Sequence, residues 1–247
     1  MAKDSDMIFG IRAVTEAIEA GKEIDKIIVK TDLSGELSGE LFSLLKERGI
    51  TAQRLPLERL NYITRKNHQG VIAFISPVNY QPLEEIVASV YERGEVPLIL
   101  VLDHITDVRN FGAIARTAEC AGVHAVVIPS RGSVSVTADA VKTSAGALMT
   151  LPVCRPQSLT DAVKYMKSCG LQVLAASEKA DERYTSADMG VPTVLVMGAE
   201  DKGVSDQVLA LVDKTISLPQ YGTIASLNVS VAAGVIIYEA LRQRDKS

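Results

Sequence analysis

Polar and charged side chains in three segments are the residues of this sequence whose types and spacing suit chemistry. Asn110 and Arg116 are six residues apart, and Glu200 lies in a glycine-flanked stretch. Ser226 and Asn228 come just before an apolar segment. The three histidines and three cysteines are scattered, with no CxxC pair and no zinc-ligand spacing, so a histidine base, a catalytic thiolate or a metal site is disfavoured.

The elements that must position these residues follow from the alternation of apolar strands with helical patterns in the C-terminal part. Predicted strands cover residues 98–102, 125–128, 172–176, 193–197 and 216–218, and predicted helices cover residues 110–121, 138–147, 159–169 and the apolar segment after Ser226. This alternation predicts a parallel sheet covered by helices on both faces. Ligands bind beyond the carboxyl ends of such strands, where loops 103–112, 198–203 and 219–228 should meet.

Each chemical candidate also has a structural interpretation. Asn110 is placed to cap the helix that it begins, and Arg116 has an ordinary ion-pair partner in Glu119. Glu200 fits a surface turn. Ser226 stands as the N-cap of a helix that is apolar on every side and is therefore expected to be buried from end to end.

The N-terminal part forms a separate pattern. Helices are predicted at residues 9–20 and 36–48, and strands at residues 24–30 and 70–75. A turn-rich joint at residues 77–82 is followed by a helix at residues 83–93. The predicted organisation is an α/β domain over residues 1–76, a linker with a connecting helix over 77–96, and a second domain over 97–247.

Composition limits the classes of function. The chain has 247 residues, 47% of them hydrophobic, and a net charge of -4, which argues against indiscriminate coating of nucleic acid. No apolar run has membrane-spanning length and no signal pattern opens the chain, so a cytoplasmic protein is expected. One local stretch is basic, with Glu58 the single acid between Arg48 and Gly70. It suits either a solvated face or a phosphate-binding one.

Three motifs carry a resemblance to a known family. The chain has no Walker loop and no GxGxxG, which disfavours an ATPase or an ordinary dinucleotide enzyme. NxxxxxR at 110–116, MGAExKG at 197–203 and SLNVSVAAG at 226–234 resemble, in order, the motifs of the SpoU (TrmH-type) 2′-O-ribose RNA methyltransferases of the SPOUT superfamily. NHQGVIAF at 67–74 resembles the substrate-binding domain of the branch that methylates a guanosine in 23S ribosomal RNA.

The resemblance implies a fold and a cofactor. The fold is α/β, with a trefoil-knotted parallel-sheet catalytic domain preceded by a small L30e-like α/β substrate-binding domain. The cofactor is S-adenosylmethionine, bound in the knot of a homodimer whose site lies at the subunit interface. By motif match the cofactor contacts are Gly198, Leu218 and Leu227, with further lining from Met197, Ile216 and Ser226.

The resemblance also implies roles for the catalytic candidates. Family precedent makes Arg116 the base, but a guanidinium keeps its proton near neutral pH, which favours a phosphate clamp that stabilises the developing alkoxide. Asn110 would fix the ribose or Arg116, and Glu200 would orient Arg116 or a neighbouring donor. Ser226 and Asn228 would shape the loop and contact cofactor or ribose. The sequence departs from the usual family pattern at two places, Asp201 and Gln220-Tyr221, and both add bulk or charge near the pocket entrance.

The predicted partner is large-subunit ribosomal RNA, without metal or membrane. RNA-binding residues are expected to be Arg54, Arg59, Arg65 and Lys66 in the first domain and Arg109 in the second. The same chemistry on transfer RNA remains open, as does a non-catalytic RNA-binding or ribosome-assembly factor. A small-molecule α/β enzyme would leave the basic stretch and the loop glycines unexplained.

Overall fold

The computed structural model describes residues 7–199, 201–224 and 226–245, and the chain divides into two compact units. The N-terminal unit comprises the described residues up to Asn79 together with Ser135–Ala138. The C-terminal unit comprises Tyr80–Val134 and the described residues from Asp139 onward. The inclusion of Ser135–Ala138 in the N-terminal unit was not predicted from the sequence. Its backbone is held there by Asp25, whose Oδ1 accepts a hydrogen bond from the Val136 N–H at 3.2 Å.

The N-terminal unit is a four-stranded sheet with helices. Its elements are β1 (Met7–Phe9), α1 (Ile11–Glu19), β2 (Ile24–Lys30), α2 (Glu36–Glu47), β3 (Ala52–Leu55), α3 (Leu57–Ile63) and β4 (Val71–Ile75). The strand order is β1-β4-β2-β3, with β4 antiparallel to both neighbours and β2 parallel to β3. One sheet face packs on α1 and α2 through Val14, Ile18, Leu41 and Leu45.

The predicted helix over residues 9–20 began too early. Phe9 instead pairs with Ile72 in β1, and the helix starts at Ile11. Gly10 separates the two elements with a φ of 93°, a backbone conformation that glycine adopts without steric cost. The short elements β3 and α3 were not predicted, because four and seven residues carry too little periodicity.

The C-terminal unit is a six-stranded parallel sheet covered by helices. Its elements are α4 (Leu83–Glu92), β5 (Leu98–Asp103), α5 (Val108–Cys120), β6 (Ala125–Val127), α6 (Ala138–Thr143), β7 (Val153–Cys154), α7 (Leu159–Ser168), β8 (Gln172–Ala176), β9 (Thr193–Gly198), α8 (Asp206–Leu209), β10 (Lys214–Ile216) and α9 (Val229–Arg244). The order is β10-β8-β9-β5-β6-β7, and every pair is parallel. All six strands therefore end at one edge. None of the helices in the described ranges is long and apolar enough to cross a bilayer.

Two helix caps differ from the predictions. Asp107 caps α5, since its Oδ1 accepts from the N–H groups of Arg109 and Asn110 at 2.9 and 2.8 Å, so Asn110 lies inside the first turn. Asn228 caps α9 by accepting from the Ser230 N–H at 2.9 Å, so Ser226 is not the cap. In both cases the cap is the residue whose side chain reaches the free N–H groups of the first turn.

Two further boundaries were also wrong. The closing strand lies at Lys214–Ile216, and not at residues 216–218. The helix predicted over 138–147 ends at Thr143, because Ala145 and Gly146 both have positive φ angles, of 52° and 91°, which no α-helix contains.

The prediction that α9 is buried on every side was also wrong. Val231, Val235 and Tyr238 are 52%, 38% and 50% exposed, whereas Ala233, Ile236 and Ile237 are buried. Positions 231, 235 and 238 lie on one side of a helix, and Leu227, 43% exposed, extends this stripe beyond the N-terminal end of α9. The C-terminal helix therefore has one core face and one exposed apolar face.

His124 makes the stability of the C-terminal unit depend on pH. Its Nδ1 accepts from the Leu98 N–H at 3.0 Å, and its Nε2 lies 3.3 Å from the Glu95 carboxylate. Burial lowers the pKa of His124 below its ordinary value of 6.5, with the Glu95 carboxylate partly opposing this. The unfolded chain therefore binds a proton more readily than the folded one.

We expect the contribution of His124 to the free energy of unfolding to be fully present above about pH 6.5 and to be lost as the pH falls from there to the folded pKa. Urea unfolding between pH 5 and pH 8 would measure it. The His124→Asn variant should lose much of this slope. An equal slope in both proteins would assign the pH dependence to other groups.

Candidate active site

A cavity of about 310 Å³ lies beyond the carboxyl ends of β8, β9 and β10. All of its lining residues belong to the C-terminal unit. The six residues predicted to contact the cofactor all line this one cavity: Met197, Gly198, Ile216, Leu218, Ser226 and Leu227. They come from two strand ends and from the loop before α9, so the parallel sheet brings together residues up to 30 positions apart.

Gly198 allows the loop after β9 to fold back on itself. Ala199 and Gly203 exchange two backbone hydrogen bonds, of 3.2 Å from the Ala199 N–H and 2.8 Å from the Gly203 N–H. A Cβ atom at Gly198 would overlap the backbone of Gly203 and Val204. Glycine at this position is therefore a steric requirement of the loop that forms one wall of the cavity.

Asp103 fixes the far end of the same loop, and its role was missed from the sequence. It ends β5 with 1% exposure, and its Oδ2 accepts from the Ser205 N–H at 2.8 Å. Its Oδ1 lies 2.6 Å from Nδ1 of His104, a residue with a φ of 60°. A carboxyl group at the end of a fully apolar strand is the signal that should have indicated this anchor.

A hydrogen bond joins the first and third motifs directly. The Asn228 Nδ2 donates to Oδ1 of Asn110 at 3.0 Å, while Oδ1 of Asn228 caps α9. Helices α5 and α9 pack together, and a Cβ at Gly234 would lie 3.7 Å from the Thr117 methyl group. Two side chains predicted to be catalytic are thus held in contact by the packing of two helices.

Arg116 is exposed on α5. Among the described residues it has no hydrogen-bond or ion-pair partner, and the alternative pair with Glu119 does not form. Its side chain also makes no hydrogen bond to Asn110, Ser226 or Asn228. The guanidinium is therefore free to pair with an anionic group from outside the chain, which two N–H groups can bind side by side.

The remaining predicted residues of this region have mixed outcomes. Glu200 lies outside the described residues. Ser226 is exposed and lines the cavity. Asp201 and Gln220, which belong to the two departures from the family pattern, line it as well, whereas Tyr221 is 87% exposed and does not. Lys179 and Lys202 add positive charge to the lining, and neither was predicted.

The five residues predicted to bind RNA are all exposed. Arg109 lies in the first turn of α5, next to Asn110. In the N-terminal unit, the Arg54 guanidinium lies 4.9 Å from the Phe42 ring centroid and donates to the Thr31 carbonyl at 2.9 Å. The Lys66 ammonium lies 5.5 Å from the Phe9 ring centroid. Arg59 and Arg65 complete the set around α3.

The cavity suits a nucleoside that carries a charged amino-acid group. Apolar walls from Met197, Ile216 and Leu218 match a purine ring. Gly198 and Gly203 have no side chains, so a ligand can approach their backbone closely. Acidic and basic side chains at the same cavity, such as Glu178 and Lys179, match a group that bears both charges. Within the described ranges, no three His, Cys, Asp or Glu side chains are grouped as a metal ion would require.

Comparison with known families shows which family the chain belongs to. The sequence profile of the SpoU rRNA Methylase family matches residues 97–238, more than half of the chain. The chain belongs to this family. A second profile, described as RNA 2′-O ribose methyltransferase substrate binding, matches residues 7–81, which cover most of the N-terminal unit.

Individual relatives agree with this assignment. A TrmH family tRNA/rRNA methyltransferase of Bacillus subtilis, YacO, is 34% identical over 99% of this chain and 98% of its own length. The crystal structure of the SpoU methyltransferase AviRb from Streptomyces viridochromogenes, in complex with AdoMet, is 25% identical, with a TM-score of 0.63 over 98% of this chain and 91% of that one. The A. aeolicus TrmH/SpoU tRNA modifying enzyme is 30% identical, with a TM-score of 0.55 over 66% and 85% of the two chains.

Several predictions are confirmed by these findings. The chain is an RNA 2′-O-ribose methyltransferase of the SpoU family, and its cofactor is S-adenosylmethionine. The SPOUT fold class with a preceding α/β substrate-binding domain is confirmed as well. A small-molecule enzyme and a non-catalytic factor are accordingly set aside.

Proposed function

We propose that this SpoU-family enzyme methylates the ribose 2′-hydroxyl of a guanosine in large-subunit ribosomal RNA, in the cytoplasm and as a homodimer. One observation carries the choice of ribosomal RNA. Residues 7–81 of the chain match the substrate-binding profile, whereas the similarity to the A. aeolicus tRNA modifying enzyme covers 66% of the chain. A separate RNA-binding unit suits a large folded substrate better than a small one.

In this proposal the cofactor cavity is the one beyond β8, β9 and β10. Met197, Ile216, Leu218 and Leu227 hold the nucleoside by apolar contact, with the Gly198 backbone and Ser226 at its polar edge. When bound, S-adenosylmethionine supplies a methyl group that is already activated by a sulfonium. The protein's task is therefore to position the ribose hydroxyl and to provide for its proton.

Arg116 takes the central role in handling the RNA. It is exposed and has no protein partner among the described residues, so two of its guanidinium N–H groups can bind a phosphate of the substrate side by side. The retained positive charge stabilises the alkoxide as the hydroxyl proton leaves. Since Arg116 stays protonated, the proton has to leave to another acceptor, and we propose a phosphate oxygen of the bound RNA for this role.

The asparagine pair places the ribose. The bond between Asn110 and Asn228 holds the two side-chain amides against each other, and in this proposal Asn110 positions the ribose or Arg116 from the start of α5. Ser226 contacts the cofactor or ribose from the same loop. Glu200 lies outside the described residues, and we propose that it orients Arg116.

The N-terminal unit holds folded RNA by its backbone and shape. Arg54, Arg59, Arg65 and Lys66 supply its cations, and Arg109 continues the phosphate contacts in the catalytic unit. We assign residues 1–76 to RNA binding, residues 77–96 to the linker and residues 97–247 to catalysis. Binding through such contacts weakens steeply with salt.

Radiolabelled S-adenosylmethionine provides the test. Purified protein is incubated with unmodified large-subunit RNA or with transfer RNA, and the labelled nucleotide is mapped by mass spectrometry. Label on the ribose of a single guanosine in ribosomal RNA supports the proposal. Label in transfer RNA alone would contradict the proposal and make transfer RNA the substrate, as named for the A. aeolicus relative.

The exposed stripe of α9 supports the homodimer. Leu227 belongs both to this stripe and to the lining of the cofactor cavity, so a second copy seated on Val231, Val235 and Tyr238 would reach the mouth of the site. An apolar stripe of this kind on a core helix is typical of a surface that another chain covers.

Placing a charge on the stripe should separate the protomers. We expect Val235→Asp to shift the protein from dimer to monomer in light scattering, because a buried unpaired carboxylate is costly. Methyl transfer should fall with it, since each site would lose its neighbouring copy. Val191→Asp, at an equally exposed valine of the same unit, is the control that should stay dimeric. A monomeric wild type would rule out this interface.

A further inference from the structure

We propose that a second cavity, within the N-terminal unit, binds one unpaired nucleotide of the RNA substrate. This rests on the proposed RNA-methylating function and adds a specific subsite to it. The cavity has a volume of about 490 Å³ and lies between the end of β2, α3 and the turn before β4. Its polar lining includes Lys30, Ser34, Asn61, Lys66, Asn67 and His68.

His68 determines what Asn61 offers to a ligand. It is 5% exposed, and its Nδ1 accepts from the Gly70 N–H at 3.0 Å. Nε2 must therefore carry the ring hydrogen, which it donates to Oδ1 of Asn61 at 2.9 Å. Because the amide oxygen is occupied, the exposed Asn61 side chain offers its NH₂ group, a donor, to a ligand.

The turn that carries His68 is rigid. Gln69 and Gly70 both have positive φ angles, of 53° and 80°, and Gln69 Oε1 accepts from the Ile11 N–H at 3.2 Å. The Lys30 N–H donates to the Gly70 carbonyl at 2.8 Å, and a Cβ at Gly70 would lie 3.0 Å from a Leu33 methyl group. The cavity is thus formed before a ligand arrives, so little ordering opposes binding.

Donors outnumber acceptors on the lining. Asn61, Lys66 and the Ser34 hydroxyl can donate, and Asp32, the one carboxylate of the lining, lies 3.2 Å from the Lys30 ammonium. A ligand rich in acceptors is favoured, such as a phosphate followed by the carbonyl edge of a guanine or uracil. Only an unpaired nucleotide can bring a base edge into a cavity, because helical RNA keeps its bases stacked and paired.

A stacking surface lies next to this cavity in the chain. Tyr62 follows Asn61 on α3 and is 89% exposed. Leu57 and Ile63 of the same helix are 39% and 37% exposed. Aromatic faces beside basic residues hold unstacked bases without regard to sequence. We assign Tyr62 to the nucleotide next to the one in the cavity.

The test uses the full-length protein and the RNA that it methylates. Asn61→Asp keeps the oxygen that accepts from His68 but removes the NH₂ donor, so the turn is preserved while the ligand contact is lost. Gln53→Glu is the matched control, because it adds the same charge at an exposed position on β3 of the same unit. RNA dissociation constants, cofactor dissociation constants and thermal unfolding are measured for each.

We expect Asn61→Asp to weaken RNA binding at least tenfold and Gln53→Glu less than twofold, with cofactor binding and unfolding temperature unchanged in both. Tyr62→Ala should cost about tenfold in RNA affinity as well. Equal losses in Asn61→Asp and Gln53→Glu would overturn the subsite and leave only a general charge effect. If the wild type methylates no RNA in the assay with radiolabelled S-adenosylmethionine, the proposed function itself fails. That outcome is independent of the Asn61→Asp measurements.

Discussion

Replacing Arg116 with lysine should lower kcat for methyl transfer by about a hundredfold or more while leaving the dissociation constant of S-adenosylmethionine nearly unchanged. Lysine keeps the positive charge but has no planar fork for a phosphate, and Arg116 is an exposed cation of α5 without a protein partner among the described residues. Single-turnover methylation and calorimetric titration of the cofactor would measure the two effects.

The Arg93→Lys variant serves as its control. Arg93 is also exposed in the C-terminal unit but pairs with Glu95 at 2.8 Å, an interaction that lysine can keep. Its methylation rate should match the wild type. If Arg116→Lys retained most of the wild-type rate, Arg116 would be neither the phosphate clamp nor the base, and the chemistry would have to be reassigned.

The Gly198→Ala variant should affect the cofactor and the fold together. The new methyl group would overlap the backbone of Gly203 and Val204, so the loop that forms one wall of the cavity has to move. We expect cofactor affinity to fall at least tenfold, about 1.4 kcal/mol, and the free energy of unfolding to fall by about 1 to 3 kcal/mol. Calorimetry and urea unfolding would measure these losses.

Gly222→Ala provides a matched comparison. Gly222 lies in the loop before α9, and a Cβ there would meet no heavy atom within 4 Å. This variant should bind the cofactor with wild-type affinity and unfold at the same urea concentration. Normal cofactor binding by Gly198→Ala would show that the loop after β9 can move without disturbing the cavity, contrary to the role assigned to this glycine.

Much of the C-terminal unit is determined locally in the sequence. β8 lies at the predicted residues 172–176, and the boundaries of β9 and α7 differ from the prediction by one residue each. Apolar periodicity and glycine stops encode such elements within a few neighbouring residues. In addition, the carboxyl ends of parallel strands all lie at the same edge of the sheet. The six residues matched to the cofactor motif therefore line one cavity, as their order in the sequence led us to expect.

The interactions that hold the site together could not be predicted from local patterns. The Asn110–Asn228 bond spans 118 residues and the Asp103–Ser205 bond spans 102, so each depends on the packing of distant elements. Asp107 and Asn228 are the N-caps because their side chains reach the free N–H groups of the first turn. From residue type alone, Asn110 and Ser226 were equally suitable caps.

The sequence by itself determined the family, the parallel sheet and the residues at its carboxyl edge, because motif spacing and periodicity are local properties. Tertiary structure alone decided that α9 keeps an exposed apolar stripe and that Ser135–Ala138 packs with the N-terminal unit. It also decided that His68 orients Asn61 beside a second cavity. In each case the physical reason is the same: burial and hydrogen-bond partners depend on which distant segments meet, and no single stretch of sequence encodes that.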